Sequence, residues 1–210
     1  MSIYKNLKSE EEKIVGISEV SSKVKQPRIA IQGVSGAFHH IAARRFFKDQ
    51  KLEIIPADTF DSLMVKAEDT SITDHALMAI ENTIAGSILN NYQLLNQSKL
   101  HIVGEVYLRI QQNLMVLPGV KIEDLEEVYS HPVAIMQCQK FFQQYPHVKL
   151  IESEDTALSA KRVRDGQLKD TGAIASVLAA EMYGLDMIGK SIETYKKNYT
   201  RFLVLDRTES

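Results

Sequence analysis

Arg28-Ile29-Ala30-Ile31-Gln32-Gly33-Val34-Ser35-Gly36-Ala37-Phe38 is where the chain first declares its fold. The apolar run ends at Gly33, as a short buried strand does. Ser35-Gly36 can then cap a helix that carries Phe38, Ile41, Ala42 and Phe46 on one face. Working outward, Leu52 to Pro56 reads as a second strand, Asp61 to Ala67 as a helix, and His75 to Ile80 as a third strand. Strands alternating with helices imply an α/β protein with a parallel sheet and helices on its faces. Upstream, residues 1–26 are rich in Lys, Glu and Ser and only weakly periodic, which predicts a polar, mobile leader or a short exposed helix.

The stretch from Ile102 to Pro118 has no strong breaker after Gly104. It is too long for one average strand, so an extended crossover or two strands separated by a kink is expected. Beyond Pro118-Gly119 the rhythm resumes. Glu127 to Ser130, Lys149 to Glu152 and Gly172 to Ser176 are strands. Helices follow them: one near Pro132 through Tyr145, one capped by Asp155 or Thr156 and stopped by Gly166, and one through Tyr183 that Gly184 can end. Thr200 to Leu205 is a last strand. Two β/α groups joined by a crossover predict two lobes with a cleft between them, where α/β folds place small ligands.

Composition narrows the function. The 210 residues include 44% hydrophobic and 25% charged, with 10 Gly and 5 Pro, which excludes wholesale disorder and low-complexity architecture. A net charge of −2 argues against nucleic acid as a partner. The lone cysteine, Cys138, can form no internal disulfide, which fits a cytoplasmic location, and it reads as a buried small hydrophobe. No stretch has the composition of a signal peptide, and none is apolar for the length a membrane span needs. The histidines show no metal-ligand spacing, since His39 and His40 are adjacent and diverge on a helix; no metal is expected.

Polar corners at strand ends are the candidates for chemistry. Gly33 to Gly36 offers backbone amides and the Ser35 hydroxyl to a carboxylate, though Gly and Ser also serve such turns structurally. Glu81-Asn82-Thr83-Ile84-Ala85-Gly86-Ser87, before a helical run through Ile88, Leu89, Tyr92 and Leu95, reads either as a second anion-compatible corner or as a capping cluster. Ser130-His131-Pro132 is a third, with His131 structural or substrate-orienting. The fourth is Lys196-Lys197-Asn198-Tyr199-Thr200-Arg201-Phe202, where Thr200 and Phe202 share one face of an extended chain and Arg201 takes the other. Arg201 is either a surface residue or a two-pronged carboxylate grip.

In this order and at these spacings the four corners resemble prephenate dehydratase, over about residues 27 to 206. The resemblance implies two lobes like a type II periplasmic binding protein with an active-site cleft, residues 27–104 plus about 190–210 forming one lobe and about 105–189 the other. It implies conversion of prephenate to phenylpyruvate in phenylalanine biosynthesis, with loss of carbon dioxide and water and no cofactor. Thr200 matches the family's essential threonine and would assist departure of the hydroxyl. Arg201, Phe202, Asn82, Thr83, Ser35, Gly36, Glu81, Ser87, Ser130 and His131 are the implied substrate-binding residues. A homodimer is also implied.

The sequence departs from the family's pattern in three places. Thr83 stands where Ser is common, and Gln112 where a His is usual, which removes a titratable group. Bacterial relatives usually continue into a regulatory ACT domain, whereas this chain ends at Ser210, so activity with little feedback by phenylalanine is expected. An arogenate or broad cyclohexadienyl dehydratase, and a non-catalytic module binding a small carboxylate, are the rival readings.

Overall fold

The computed structural model describes residues 14–16, 25–48 and 50–207. The first lobe is a mixed sheet in the order β1 (Ile14–Gly16), β6 (His101–Arg109), β12 (Tyr199–Asp206), β4 (His75–Asn82), β2 (Arg28–Gln32) and β3 (Glu53–Ala57), with β5 (Gly86–Ser87) on the end of β4. The second is a sheet in the order β11 (Asp186–Gly189), β7 (Asn113–Val116), β10 (Thr171–Ala175), β8 (Glu127–Ser130) and β9 (Lys149–Glu152). The expected two-lobed α/β architecture, with the cleft of a type II periplasmic-binding-protein arrangement, is therefore present.

Parallel pairing is confined to the strands that helices connect, β2 with β3 and β4, and β8 with β9 and β10. Of these, β2 and β10 lie inside their sheets and are covered on both faces, which is why Ile29-Ala30-Ile31 and Gly172-Ala173-Ile174 read as unbroken apolar runs. In the first lobe α1 (Phe38–Phe46) packs on one face against Ile29, Leu77, Val106 and Phe202. On the other face α2 (Phe60–Glu68) and α3 (Leu89–Gln97) cover Ala30, Met78, Ile80 and Leu203. In the second lobe α4 (Pro132–Phe142) lies on Leu114, Val128 and Ile174, and buries Cys138. The opposite face carries α5 (Thr156–Asp165) and α6 (Val177–Tyr183) over Met115, Ala173 and Ala175.

The long segment 102–118 resolves into β6 and β7, broken at Ile110 to Gln112, where the chain leaves one sheet for the other. It returns between Gly189 and Tyr199, so two connections join the lobes. Three residues of the expected leader, Ile14 to Gly16, form an edge strand antiparallel to β6 rather than a helix; residues 1–13 and 17–24 lie outside the described residues. The edge strand was invisible in sequence because its partner is some ninety residues away and supplies the pairing.

Ser35-Gly36 does not cap α1. The N-cap is Ala37, which has no side chain able to do so. The turn instead docks the lobes: Ser176 Oγ donates to the Gly36 carbonyl at 2.5 Å, and the Tyr183 hydroxyl donates to the Ser35 carbonyl at 2.6 Å. Gly36 has φ +94°, and a Cβ there would lie 3.1 Å from Cα of Ala179 on α6. Only glycine allows both the left-handed backbone and so close an approach.

Candidate active site

A cavity of about 320 Å³ lies between the lobes. The first lobe lines it with the start of α1, the ends of β4 and β12, and Phe60; the second with Gln112, the start of α4 and the β9–α5 corner. Phe38, Phe60, Ile88, Ile110 and Phe202 make much of the wall apolar.

Thr200 is placed there by strand pairing. It sits opposite Asn82 across β12 and β4, and a bulge then sets Phe202 opposite Ala79, so Thr200 and Phe202 both face the cavity. The Asn82 side chain is oriented by its Oδ1, which accepts the amides of Ile84 and Ala85 at 2.9 Å each. Its Nδ2 is thereby turned to donate to Thr200 Oγ1 at 2.9 Å and to Asn198 Oδ1 at 2.8 Å. A hydroxyl that accepts in this way keeps its own proton for another partner. The chain of amides continues across the cleft: Asn198 Nδ2 donates to Gln137 Oε1 at 3.0 Å, and Gln112 Nε2 reaches the same oxygen at 3.4 Å. Asn198, Gln137 and Gln112 are all buried, where satisfied networks of this kind hold one geometry.

His131 lines the cavity as N-cap of α4, its Nδ1 accepting from the Val133 amide at 3.3 Å ahead of Pro132. Asp155 caps α5 through Oδ1, and burial raises its carboxyl above the usual carboxylate range. His39, on α1, accepts the Ala79 amide at Nε2 and stacks edge-on against Phe202; burial pushes it down to about 3, so it is neutral near pH 7.

The structure thus gathers Thr200, Phe202, Asn82 and His131 around one cavity and corrects the placement of the others. Arg201 points to the opposite face of β12, where its Nε donates to Glu105 at 3.1 Å, with Glu81 at 3.6 Å and Tyr107 beneath it. Alternation along the strand dictates this, and the guanidinium does not line the cavity. Glu81 follows Arg201 to that face and also accepts from the Tyr92 hydroxyl. Thr83 is used in structure, its Oγ1 accepting from the Tyr199 amide and donating to the Lys197 carbonyl. Ser130 is fully buried and donates to the Ile174 carbonyl, tying β8 to β10. Ser87 is exposed on β5. Ser35 and Gly36 hold the lobes together, and the Gly36 amide is taken by His40 Nδ1 at 3.1 Å.

The sequence reading had not assigned His39, Asn198, Gln137 or Asp155 to the site. Asn198 had a signal, being two residues before Thr200 on an extended chain. Asp155 had one too, since it follows a strand as the other corners do. His39 and Gln137 are placed by helix packing, which the sequence does not display.

The prephenate dehydratase family model matches residues 29–210. The chain belongs to the prephenate dehydratase family. Among its relatives, arogenate dehydratase 2 of Petunia hybrida is 41% identical over 191 residues, covering 91% of this chain and 48% of that protein. A solved prephenate dehydratase from Staphylococcus aureus superposes with TM-score 0.72 at 27% identity, covering 87% of this chain and 67% of that one. The solved structure of GqqA, described as a novel type of quorum quenching acylase, gives TM-score 0.77 at 31% identity, with coverages of 87% and 65%. The chain spans about half the length of the curated relatives it matches. Within this family, the cavity-lining hydroxyl of Thr200 falls in the stretch that carried the sequence resemblance.

Proposed function

We propose that the chain catalyses the decarboxylating dehydration of a cyclohexadienol dicarboxylate, prephenate to phenylpyruvate or arogenate to phenylalanine. Membership of the dehydratase family gives the reaction class. The observation that carries the reading is the Thr200 hydroxyl, facing the interlobe cavity with its oxygen accepting from Asn82.

In the reaction the bond from the ring to its carboxyl carbon breaks, its electron pair enters the ring, and the ring C–O bond on the opposite side breaks. Carbon dioxide leaves, and the departing hydroxide takes the Thr200 proton to become water; solvent returns that proton. Aromatisation drives the step, so the protein has only to orient the substrate and ease hydroxide departure. The Asn82 donor polarises the threonine and stabilises the alkoxide character it develops. His39, uncharged near neutral pH, leaves that protonation to Thr200. The apolar wall of Phe38, Phe60, Ile88 and Phe202 excludes water from a ring carboxylate that must lose its charge. The first turn of α1, which has no side-chain cap and opens on the cavity at Ala37 to His39, suits a substrate carboxylate. Cytoplasmic residence and a homodimer remain part of this reading on the lone cysteine and the family resemblance.

Purified protein should form phenylpyruvate from prephenate, or phenylalanine from arogenate, well above the spontaneous rate at neutral pH. Binding of either compound without product above that rate overturns the enzymatic reading in favour of a small-carboxylate binding module.

A further inference from the structure

The side of the cavity contributed by the second lobe is rich in hydrogen-bond acceptors. Asp155 and Glu154 line it, and among the described residues no lysine or arginine does. Asp155 is held in place, with Oδ1 accepting the Leu158 amide at 2.8 Å and Oδ2 so close to Gly33 that a Cβ there would lie 2.7 Å away. Gln112 supplies an independent observation. It is 3% exposed and lines the same cavity, its amide nitrogen is directed to Gln137, and its Oε1 is buried without a hydrogen-bond partner. Buried acceptors of this sort are rare in folded proteins, and one at a cavity wall calls for a donor on the ligand.

The two substrates differ at one group. Prephenate carries a keto oxygen on its side chain, an acceptor; arogenate carries an ammonium there, with three N–H donors and a positive charge. Against Asp155, Glu154 and the Gln112 oxygen, the keto dianion meets acceptors and like charge, and leaves Gln112 unpaired. The ammonium satisfies them.

We infer that Asp155 and Gln112 are the specificity-determining residues of this site, binding the substrate ammonium and making arogenate the preferred substrate. The inference rests on the dehydratase reading above and names its substrate. The mechanism of choice is the one by which a site built for a polar group rejects an analogue without it, since the wrong substrate strands buried polar atoms.

The test is kcat/KM for arogenate and for prephenate, measured on the wild-type chain and on Asp155→Asn and Gln112→Met. Asparagine keeps an oxygen for the α5 cap and removes only the charge. The wild type is expected to favour arogenate at least about tenfold. Asp155→Asn should lower kcat/KM for arogenate roughly 10- to 100-fold, the scale of a lost charge-assisted hydrogen bond, and raise it severalfold for prephenate. Gln112→Met should lower the arogenate-to-prephenate ratio about fivefold, and it decides the matter if Asp155→Asn does not fold. A wild type that favours prephenate, or variants that lose both substrates in equal measure, overturns the inference while leaving the dehydratase intact. A wild type that turns over neither overturns the dehydratase reading, and this inference with it.

Discussion

Asn82 Nδ2 donates to Thr200 Oγ1 across 2.9 Å, from directly opposed positions on the antiparallel strands β4 and β12. The bond assigns the threonine's proton to the cavity. Replacing Thr200 with Ala should reduce kcat by about 10² to 10⁴, the usual range for a lost proton donor, while substrate binding measured by calorimetry changes little. Thr200→Ser, which keeps the hydroxyl, should retain far more activity than Thr200→Ala. Wild-type turnover in the alanine variant would remove Thr200 from the mechanism.

Arg201 gives a prediction of opposite character. Its guanidinium is spent on Glu105 and Glu81, and the Glu105 hydrogen bond raises its already high pKa. Arg201→Ala leaves two half-buried carboxylates facing each other and should cost about 1–3 kcal/mol of stability, discounted for their partial exposure. At a temperature where the variant is folded, KM should stay within about threefold of wild type. A large rise in KM with unchanged stability would return Arg201 to the substrate.

Gly36 tests the coupling of the lobes. Its φ of +94° and the 3.1 Å approach to the Ala179 backbone leave no room for a methyl group. Gly36→Ala should destabilise by about 2 kcal/mol or more and lower the melting temperature. Because the turn docks on α6 through Ser176 and Tyr183, catalysis should fall as well, the cleft walls being no longer in register. A variant with unchanged melting temperature and turnover would show that this contact positions nothing.

Acid sensitivity follows from His39, His40 and His75, all pushed down chiefly by burial. Burial pushes His39 down to about 3, and burial with Arg44 nearby pushes His40 down to about 4, each from an ordinary 6.5. Between those limits the unfolded chain binds protons that the folded chain refuses, so stability is full above pH 6.5 and falls as pH drops toward 4. Asp155, whose carboxyl burial raises above its ordinary value, acts in the opposite sense from that value upward and offsets part of the loss. Denaturant melts from pH 7 to 4 should show the loss, with a shallower slope in His39→Gln; identical slopes in the two proteins would refute the assignment.

What the sequence determined by itself was much of the local, periodic structure. Apolar runs marked β2, β4, β8 and β10, helical spacing marked α1, and Asp155 or Thr156 marked the start of α5, where the structure makes Asp155 the cap. The order of polar corners was enough to identify the family, because motif order survives in one dimension. Tertiary structure alone decided which polar residues share a space. Arg201 and Thr200 are adjacent in the chain, yet strand alternation and the register of β12 against β4 send one to Glu105 and the other to the cavity. Ser35 and Gly36 are candidate ligand binders in sequence, and in the structure their carbonyls accept from Tyr183 and Ser176. Gln112, Gln137 and Asn198 gained their meaning only where the lobes meet, because a hydrogen bond depends on distance in space, and residues 61 positions apart carry no sign of it.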